Sequence, residues 1–143
     1  MMPLSMIRCL DALDILGMKY TYISEFGIYS FSYSGVEMSL KTSTGEGGIT
    51  LSAEFLFNSM CPACLMRYLD AIVCREYIGY VVSAVSPVAG VVAKEWLMDW
   101  EKELSGDDMK AMLDETVQIW HAIALKLGMI RDCHVEAYMA FDE

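Results

Sequence analysis

One pair of cysteines, in Cys61-Pro62-Ala63-Cys64, has a spacing that permits thiol chemistry. The pair follows a β-rich segment and opens a segment with helical periodicity. The N-terminus of a helix favours a thiolate, and two thiols three positions apart on the first turn can close a disulfide. The motif therefore suggests a thiol redox function, with Cys61 as the nucleophile and Cys64 as the resolving thiol.

The segment that carries this pair, Asn58 to Glu76, also fits a purely structural interpretation. Asn58 or Ser59 can cap the helix, and Pro62 suits its first turn. Apolar side chains recur with the period of a helix that packs on a sheet, at Cys61, Cys64, Leu65, Tyr68, Leu69 and Ile72. This phase buries both sulfurs, and burial raises the pKa of a thiol. We therefore expect two small core residues and keep the redox function as the alternative.

Other arrangements that could support catalysis or metal binding are weaker. Zinc requires four ligands, and only Cys133-His134 offers a second close group. No carboxylate is obviously placed to orient His121. The glycines of the 45–48 run join two strands, so we expect a hairpin tip rather than a phosphate loop. We therefore expect no metal, no cofactor and no enzymatic activity.

The composition limits the partners. The 143 residues fit one domain, 1–143, with a single core. Ten Lys plus Arg against twenty Asp plus Glu give a net charge of −10, which repels nucleic acid and anionic membranes but suits a basic polypeptide. Five cysteines and no signal-peptide pattern lead us to expect reduced thiols in the cytoplasm.

The whole chain is apolar, with a mean hydropathy of +0.36, so its longest uncharged run, Tyr77 to Ala93, raises the question of a membrane span. Its 17 residues include glycines and Pro87, whereas a spanning helix needs about 20 mostly apolar residues. Its β-branched content instead predicts two buried strands, 77–85 and 88–96, and no membrane contact. The competing interpretation is a helix that continues through Gly79.

The periodicity along the rest of the chain completes the predicted architecture. Ser5 can cap a first helix that ends near Leu16, before Gly17 in a capping position, and Ser105 caps a last helix that ends near Gly128. Four strands joined by glycine turns, at 19–25, 28–33, 36–42 and 49–57, form an antiparallel meander, with Ser34-Gly35 as a two-residue turn. Alternation of apolar and polar residues along these strands implies one covered face. The tail, 129–143, has mixed signals for helix or a short edge strand. We predict one α+β domain, an antiparallel sheet with helices in the order α-β-β-β-β-α-β-β-α.

This order of elements resembles the YbjN-like proteins, whose fold is that of type III secretion chaperones. The resemblance covers about Ser5 to Gly128 and is carried by LDALDILGMKY, YSFSYSGVEMSLKT, GGITLSAEFLF, the central helix, YIGYVVSA, VAGVVAKEWLM and the closing helix. It implies a small acidic protein, often dimeric and without catalytic residues, that binds polypeptides or acts as a stress or signalling regulator. The Cys61–Cys64 pair departs from the family pattern.

We therefore expect a non-enzymatic protein-binding domain, chaperone-like or regulatory, that forms an acidic homodimer. Self-association would use a sheet edge or the central helix and the strands after it, because exposed strand edges invite a partner. The candidate partner contacts are Met66, Tyr80, Val82 and Met98. A third function, a carrier of small ligands, would require a roomy apolar pocket between sheet and helices.

Overall fold

Three helices and a six-stranded sheet make up most of the protein. The structure, a computed structural model, describes residues 2–43, 47–129 and 135–136. The helices are α1 (Leu4–Ile15), α2 (Pro62–Glu76) and α3 (Gly106–Met129). The strands are β1 (Thr21–Ile23), β2 (Ile28–Tyr33), β3 (Val36–Thr42), β4 (Ile49–Leu56), β5 (Asn58–Ser59), β6 (Tyr80–Ser86), β7 (Ala89–Trp96) and β8 (Val135–Glu136).

The strands of the main sheet lie in the order β1-β2-β3-β4-β7-β6, and each neighbouring pair is antiparallel. β5 and β8 form a separate two-stranded pair, so part of the tail is a short strand, whereas 130–134 and 137–143 lie outside the described residues. The predicted α+β class and order of elements are confirmed. The competing prediction of a helix that continues through Gly79 is wrong, because α2 ends at Glu76 and Gly79 has a φ of +91°.

The stretch from Tyr77 to Ala93 forms the α2–β6 connection, all of β6, the turn after it and part of β7. The two strands begin at Tyr80 and Ala89, and the predicted burial of the first is wrong, because most of β6 is exposed. Among the described residues, no helix combines the length and the apolar character needed to cross a bilayer.

Local turn chemistry fixes several boundaries. Ser34 and Gly35 have φ values of +52° and +78°, which matches the two-residue hairpin turn predicted between β2 and β3. Gly17 ends α1 in the left-handed conformation, and its N–H donates to the carbonyl of Asp14 at 2.9 Å. The predicted cap at Ser5 is wrong: α1 begins one residue earlier, at Leu4, and buries the Ser5 side chain.

The alternating side chains of each strand divide the sheet into a covered face and an open face. All three helices pack on the covered face, whose central row is Phe31, Met38, Ala53, Val92 and Val82. The matching row on the open face consists of small or polar residues and one valine: Thr21, Ser30, Ser39, Ser52, Ala93 and Val81. Among the described residues, the two-layer arrangement therefore leaves one sheet face without a helix.

Helix α3 holds the layers together. The Ser105 hydroxyl accepts the N–H of Asp108 at 3.0 Å, so the predicted cap is confirmed. The Trp120 indole N–H donates to the carbonyl of Glu54 on β4 at 2.8 Å. The buried side of α3 covers the centre of the sheet. It consists of Met109, Met112, Leu113, Thr116, Ile119, Ile123 and Leu127.

A close approach between β7 and β4 predicts the effect of a small substitution. A Cβ atom on Gly90 would lie 2.6 Å from Cζ of Phe55 and 3.1 Å from Sδ of Met66. Gly90→Ala should therefore lower the free energy of unfolding by about 1–3 kcal/mol, because the buried Phe55 ring must shift. Urea denaturation followed by circular dichroism measures this loss.

The matched control is Gly90→Ala in a Phe55→Leu background, where the smaller side chain leaves room for the methyl group. There the same substitution should cost at least about 1 kcal/mol less, since residues in contact are not additive. An equal loss in both backgrounds would show that the Phe55 contact is not the cause.

Candidate functional site

Side chains of α2 close the first half of the outer edge of β6. The Asp70 carboxylate accepts the N–H of Val82 at 2.8 Å. The Cys74 thiol donates to the carbonyl of Tyr80 at 3.5 Å, and its second contact is with Asp70 at 3.8 Å. The backbone groups of Tyr80 and Val82 that make these bonds point away from β7. Without the α2 side chains, this edge of the sheet would present them to another chain.

The second half of the same edge is open. In an antiparallel strand the outward-pointing backbone groups recur every second residue, so the N–H and C=O of Ala84 point outward as the N–H of Val82 does. Among the described residues no hydrogen bond to these Ala84 groups occurs, and the side chains of Ser83, Ala84 and Val85 are exposed. A register shift between Ala84 and Ser86 ends the regular ladder. We call residues 83–86 the open edge.

The opposite edge of the sheet, β1, offers much less to a partner. It consists of the three residues Thr21–Ile23, and a short edge presents few backbone groups. The Tyr22 ring lies 4.8 Å from the Tyr29 ring, which in turn contacts Tyr20 edge-on at 6.0 Å. The open edge of β6 is therefore the better site for the addition of a strand.

The N-terminal turn of α2 lies beside the open edge. α2 and β6 run antiparallel, because Cys74 contacts Tyr80 and Asp70 contacts Val82. Nearer its start, α2 places Sδ of Met66 against Gly90, the β7 partner of Ala84. Exposed apolar side chains surround this end of the sheet, and we call them the apolar rim: Leu56, Met60, Val85 and Val88.

Cys61 and Cys64 form a disulfide in this turn, and both residues are exposed. The predicted burial of these two residues is wrong, and for this pair the expectation of reduced thiols is wrong as well. The buried side chains of α2 are Leu65, Met66, Leu69 and Val73. Met66 and Val73 widen the apolar face of α2 on the side away from the cysteines. The helix packs on the sheet with this widened side, so the cysteines remain at the surface.

The cap of α2 also differs from the expectation, although Pro62 lies at its predicted first position. Cys61 is the capping residue, and no side chain of the described residues caps the helix. The Ser59 hydroxyl instead accepts the N–H of Cys61 at 3.0 Å. The first turn therefore has backbone N–H groups without a partner inside the helix, contains no acidic residue and carries the disulfide at the surface.

The free thiols of the described residues differ chemically from this pair. Cys9 lies in the core under α1, and burial raises its pKa to about 12. Cys74 is exposed, but desolvation and the nearby Asp70 carboxylate raise its pKa. Cys133 lies outside the described residues, as does His134. Both described free thiols therefore favour the unreactive protonated form.

The four candidate partner contacts do not form one surface. Met66, Tyr80 and Val82 are buried within the chain, and of the four only Met98 is exposed. The Tyr80 hydroxyl donates to the Glu115 carboxylate at 2.6 Å, and Lys94 contacts the same oxygen at 3.3 Å. Burial and this hydrogen bond raise the pKa of Tyr80. The sequence shows that these residues are apolar, but it does not show whether each side chain lies in the core or at the surface.

A cavity between α2 and α3 is too small for an organic ligand. It is lined by Leu69, Val73 and Ile123 among others and has a volume of about 20 Å³. That volume holds about one water molecule, so this cavity does not support a carrier of small molecules. Within the described ranges, no three His, Cys, Asp or Glu residues are arranged to hold a metal ion.

Comparison with known proteins identifies the fold. No protein-family model matches the sequence, and no curated protein matches it either. The crystal structure of YbjN from E. coli, described as a candidate transcription regulator, is similar with a TM-score of 0.59. The sequence identity is 13%, over 85% of this chain and 89% of that chain. The chain therefore has a YbjN-like fold, as its pattern of elements predicts.

The Asp70 cap predicts a pair of matched variants. Asp70→Ala should lower the free energy of unfolding by about 1–2 kcal/mol, because the Val82 N–H loses its acceptor. It should also increase self-association, since the N–H of Val82 becomes available to another chain beside the open edge. Asp70→Asn retains an acceptor oxygen and should lose less than half as much stability. Urea denaturation and light scattering measure both effects, and equal losses in the two variants would contradict the cap.

The disulfide predicts a small effect on stability. It closes a loop of four residues within one helical turn, so chain entropy limits its contribution to about 2 kcal/mol. Replacing both cysteines by serine should therefore leave a folded protein, with an unfolding free energy lower by about 2 kcal/mol or less. Urea denaturation of this variant, beside the reduced unmutated protein as control, measures the loss. A loss above about 4 kcal/mol would identify a structural disulfide instead.

Proposed function

We propose that this protein is a non-enzymatic protein-binding domain that binds an extended polypeptide segment along the open edge of β6. The observation that supports the proposal is the contrast within one strand. Val82 has its outward N–H capped by Asp70, whereas the outward groups of Ala84 have no partner among the described residues. An added strand would satisfy these groups, which is how β-augmentation produces affinity.

The surroundings of the open edge define what a bound strand would contact. Its side chains would alternate between the two faces of the sheet. Those on the open face would lie beside Val81, Ser83 and Val85 of β6, and those on the other face would lie towards the first turn of α2. Exposed valines and the apolar rim favour a segment with apolar residues at alternate positions.

The charge of the protein favours a basic partner. A net charge of −10 attracts a positively charged polypeptide and repels the phosphate backbone of nucleic acids. If the protein is a regulator, as the description of E. coli YbjN suggests for that protein, it would therefore act through contact with another protein. Its partner binding should weaken with added salt because the long-range attraction is screened.

Homodimer formation is part of the same proposal. The open edge of a second copy, in antiparallel orientation, presents complementary N–H and C=O groups to those of the first. Because the open edge has only four residues, the strand pair alone is small, and we expect a weak dimer. Self-association and binding of another polypeptide would compete for one edge.

The test replaces the outward-pointing donor of the open edge. Ala84→Pro removes the N–H without breaking the ladder to β7, since proline is tolerated where the N–H of an edge strand faces outward. Ala84→Val keeps the N–H and is the matched control. Sedimentation velocity over a range of protein concentrations measures the dimer, and fluorescence anisotropy measures binding of a labelled peptide of alternating valine and lysine.

We expect the unmutated protein and Ala84→Val to dimerise and to bind the peptide. Ala84→Pro should do both at least about tenfold more weakly, because about 1.4 kcal/mol of main-chain hydrogen bonding corresponds to a factor of ten. Circular dichroism and urea denaturation check that each variant is folded. Equal association by a folded Ala84→Pro variant would rule out the open edge as the binding element.

A further inference from the structure

The exposed disulfide of α2 has no function in a domain that only binds polypeptides. It links two residues of one helical turn, which α2 already holds together, so it joins no separate parts of the fold. Both of its cysteines are accessible, whereas Cys9 is buried and Cys74 is hydrogen-bonded to β6. These features are those of a disulfide that takes part in exchange rather than of a structural crosslink.

We infer that Cys61–Cys64 is a thiol–disulfide exchange site whose substrates are cysteine-containing polypeptides bound at the open edge of β6. This inference rests on the proposed binding function. The α2 turn that carries the disulfide begins beside the open edge, because Met66 lies against Gly90, the partner of Ala84. A cysteine of a bound strand that points to the α2 side would therefore have a raised local concentration at the disulfide.

The exchange reaction balances within the protein and its substrate. A substrate thiolate attacks Sγ of Cys61, the Cys61–Cys64 bond breaks, and Cys64 leaves as a thiolate that takes up a proton. A second substrate thiolate then attacks the substrate sulfur of the mixed disulfide and expels the Cys61 thiolate, which is also protonated. The substrate dithiol loses two electrons and two protons and becomes a disulfide, while Cys61 and Cys64 become thiols.

The first turn of α2 suits both leaving thiolates. Cys61 is the capping residue and Cys64 lies within the first turn, where backbone N–H groups have no partner inside the helix. These donors and the helix dipole stabilise negative charge, and no acidic side chain of the turn opposes it. The apolar rim favours an apolar polypeptide over a small anionic thiol such as glutathione.

The test measures the rate at which Cys61 forms a mixed disulfide, which is the reverse of one exchange step. The full chain carries Cys64→Ser, so that Cys61 remains as a trapping thiol, and Cys74→Ser and Cys133→Ser remove two other thiols. The probe is a peptide of alternating valine and lysine with one central cysteine, activated with thionitrobenzoate. Release of this coloured thiol reports the reaction.

Two comparisons isolate the contribution of the open edge. A second peptide has proline at alternate positions, so it cannot add a strand. We expect the valine–lysine peptide to react at least about tenfold faster than the proline peptide when both are dilute. In the Ala84→Pro background this advantage should disappear while the rate with the proline peptide stays unchanged. A Cys64→Ala variant repeats the experiment should Cys64→Ser fold poorly, as judged by circular dichroism.

Equal rates with the two peptides, or no mixed disulfide with either, would overturn the inference. A third peptide, with serine in place of cysteine, shows which proposal fails. If it binds the unmutated protein by anisotropy while the rates are equal, the binding function stands and the exchange site does not. If it does not bind, the proposed binding function fails, and the inference that rests on it fails too.

Discussion

The pairing of β4 with β7 is the interaction on which the rest of the structure depends. It joins eight residue pairs, from Ile49 with Trp96 to Leu56 with Ala89, and connects the N-terminal meander to the β6–β7 hairpin. Because β7 occupies the position next to β4, the chain must cross from β4 to β6 over the width of one strand. Helix α2 makes this crossing, which brings it over β6 and places its side chains at the outer edge of the sheet.

The position of α2 explains why the edge is closed in one half and open in the other. Asp70 and Cys74 lie one turn apart on the side of α2 that faces β6, and they satisfy backbone groups near the start of that strand. Towards Ala84 no such side chains remain, and the first turn of the helix carries Cys61 and Cys64 instead. Proteins usually block exposed strand edges, so the unblocked half of β6 is the feature on which the proposed binding function rests.

Much of the fold could be predicted because its signals are local. Ser34-Gly35, Gly17 and Ser105 each set a turn or a cap through their own backbone or side chain, and alternation along the strands marked the covered face. The site could not be predicted in the same way. The apolar residues of α2 allow two overlapping stripes, and the packing of α2 on the sheet, where Met66 lies against Gly90 of β7, decides that Met66 is buried and Cys64 exposed. The contact of Asp70 with Val82 likewise depends on tertiary placement rather than on spacing.

The insertion of β7 beside β4 also has a consequence during synthesis. β4 is made well before β7, and until Ala89 and the residues after it emerge, β4 is an unpaired edge with apolar side chains on one face. At about 5–20 residues per second, the intervening segment takes roughly 2 to 6 seconds to synthesise. The nascent chain therefore exposes an unpaired edge of eight residues, longer than the four-residue open edge of the folded protein, and this favours aggregation in that interval.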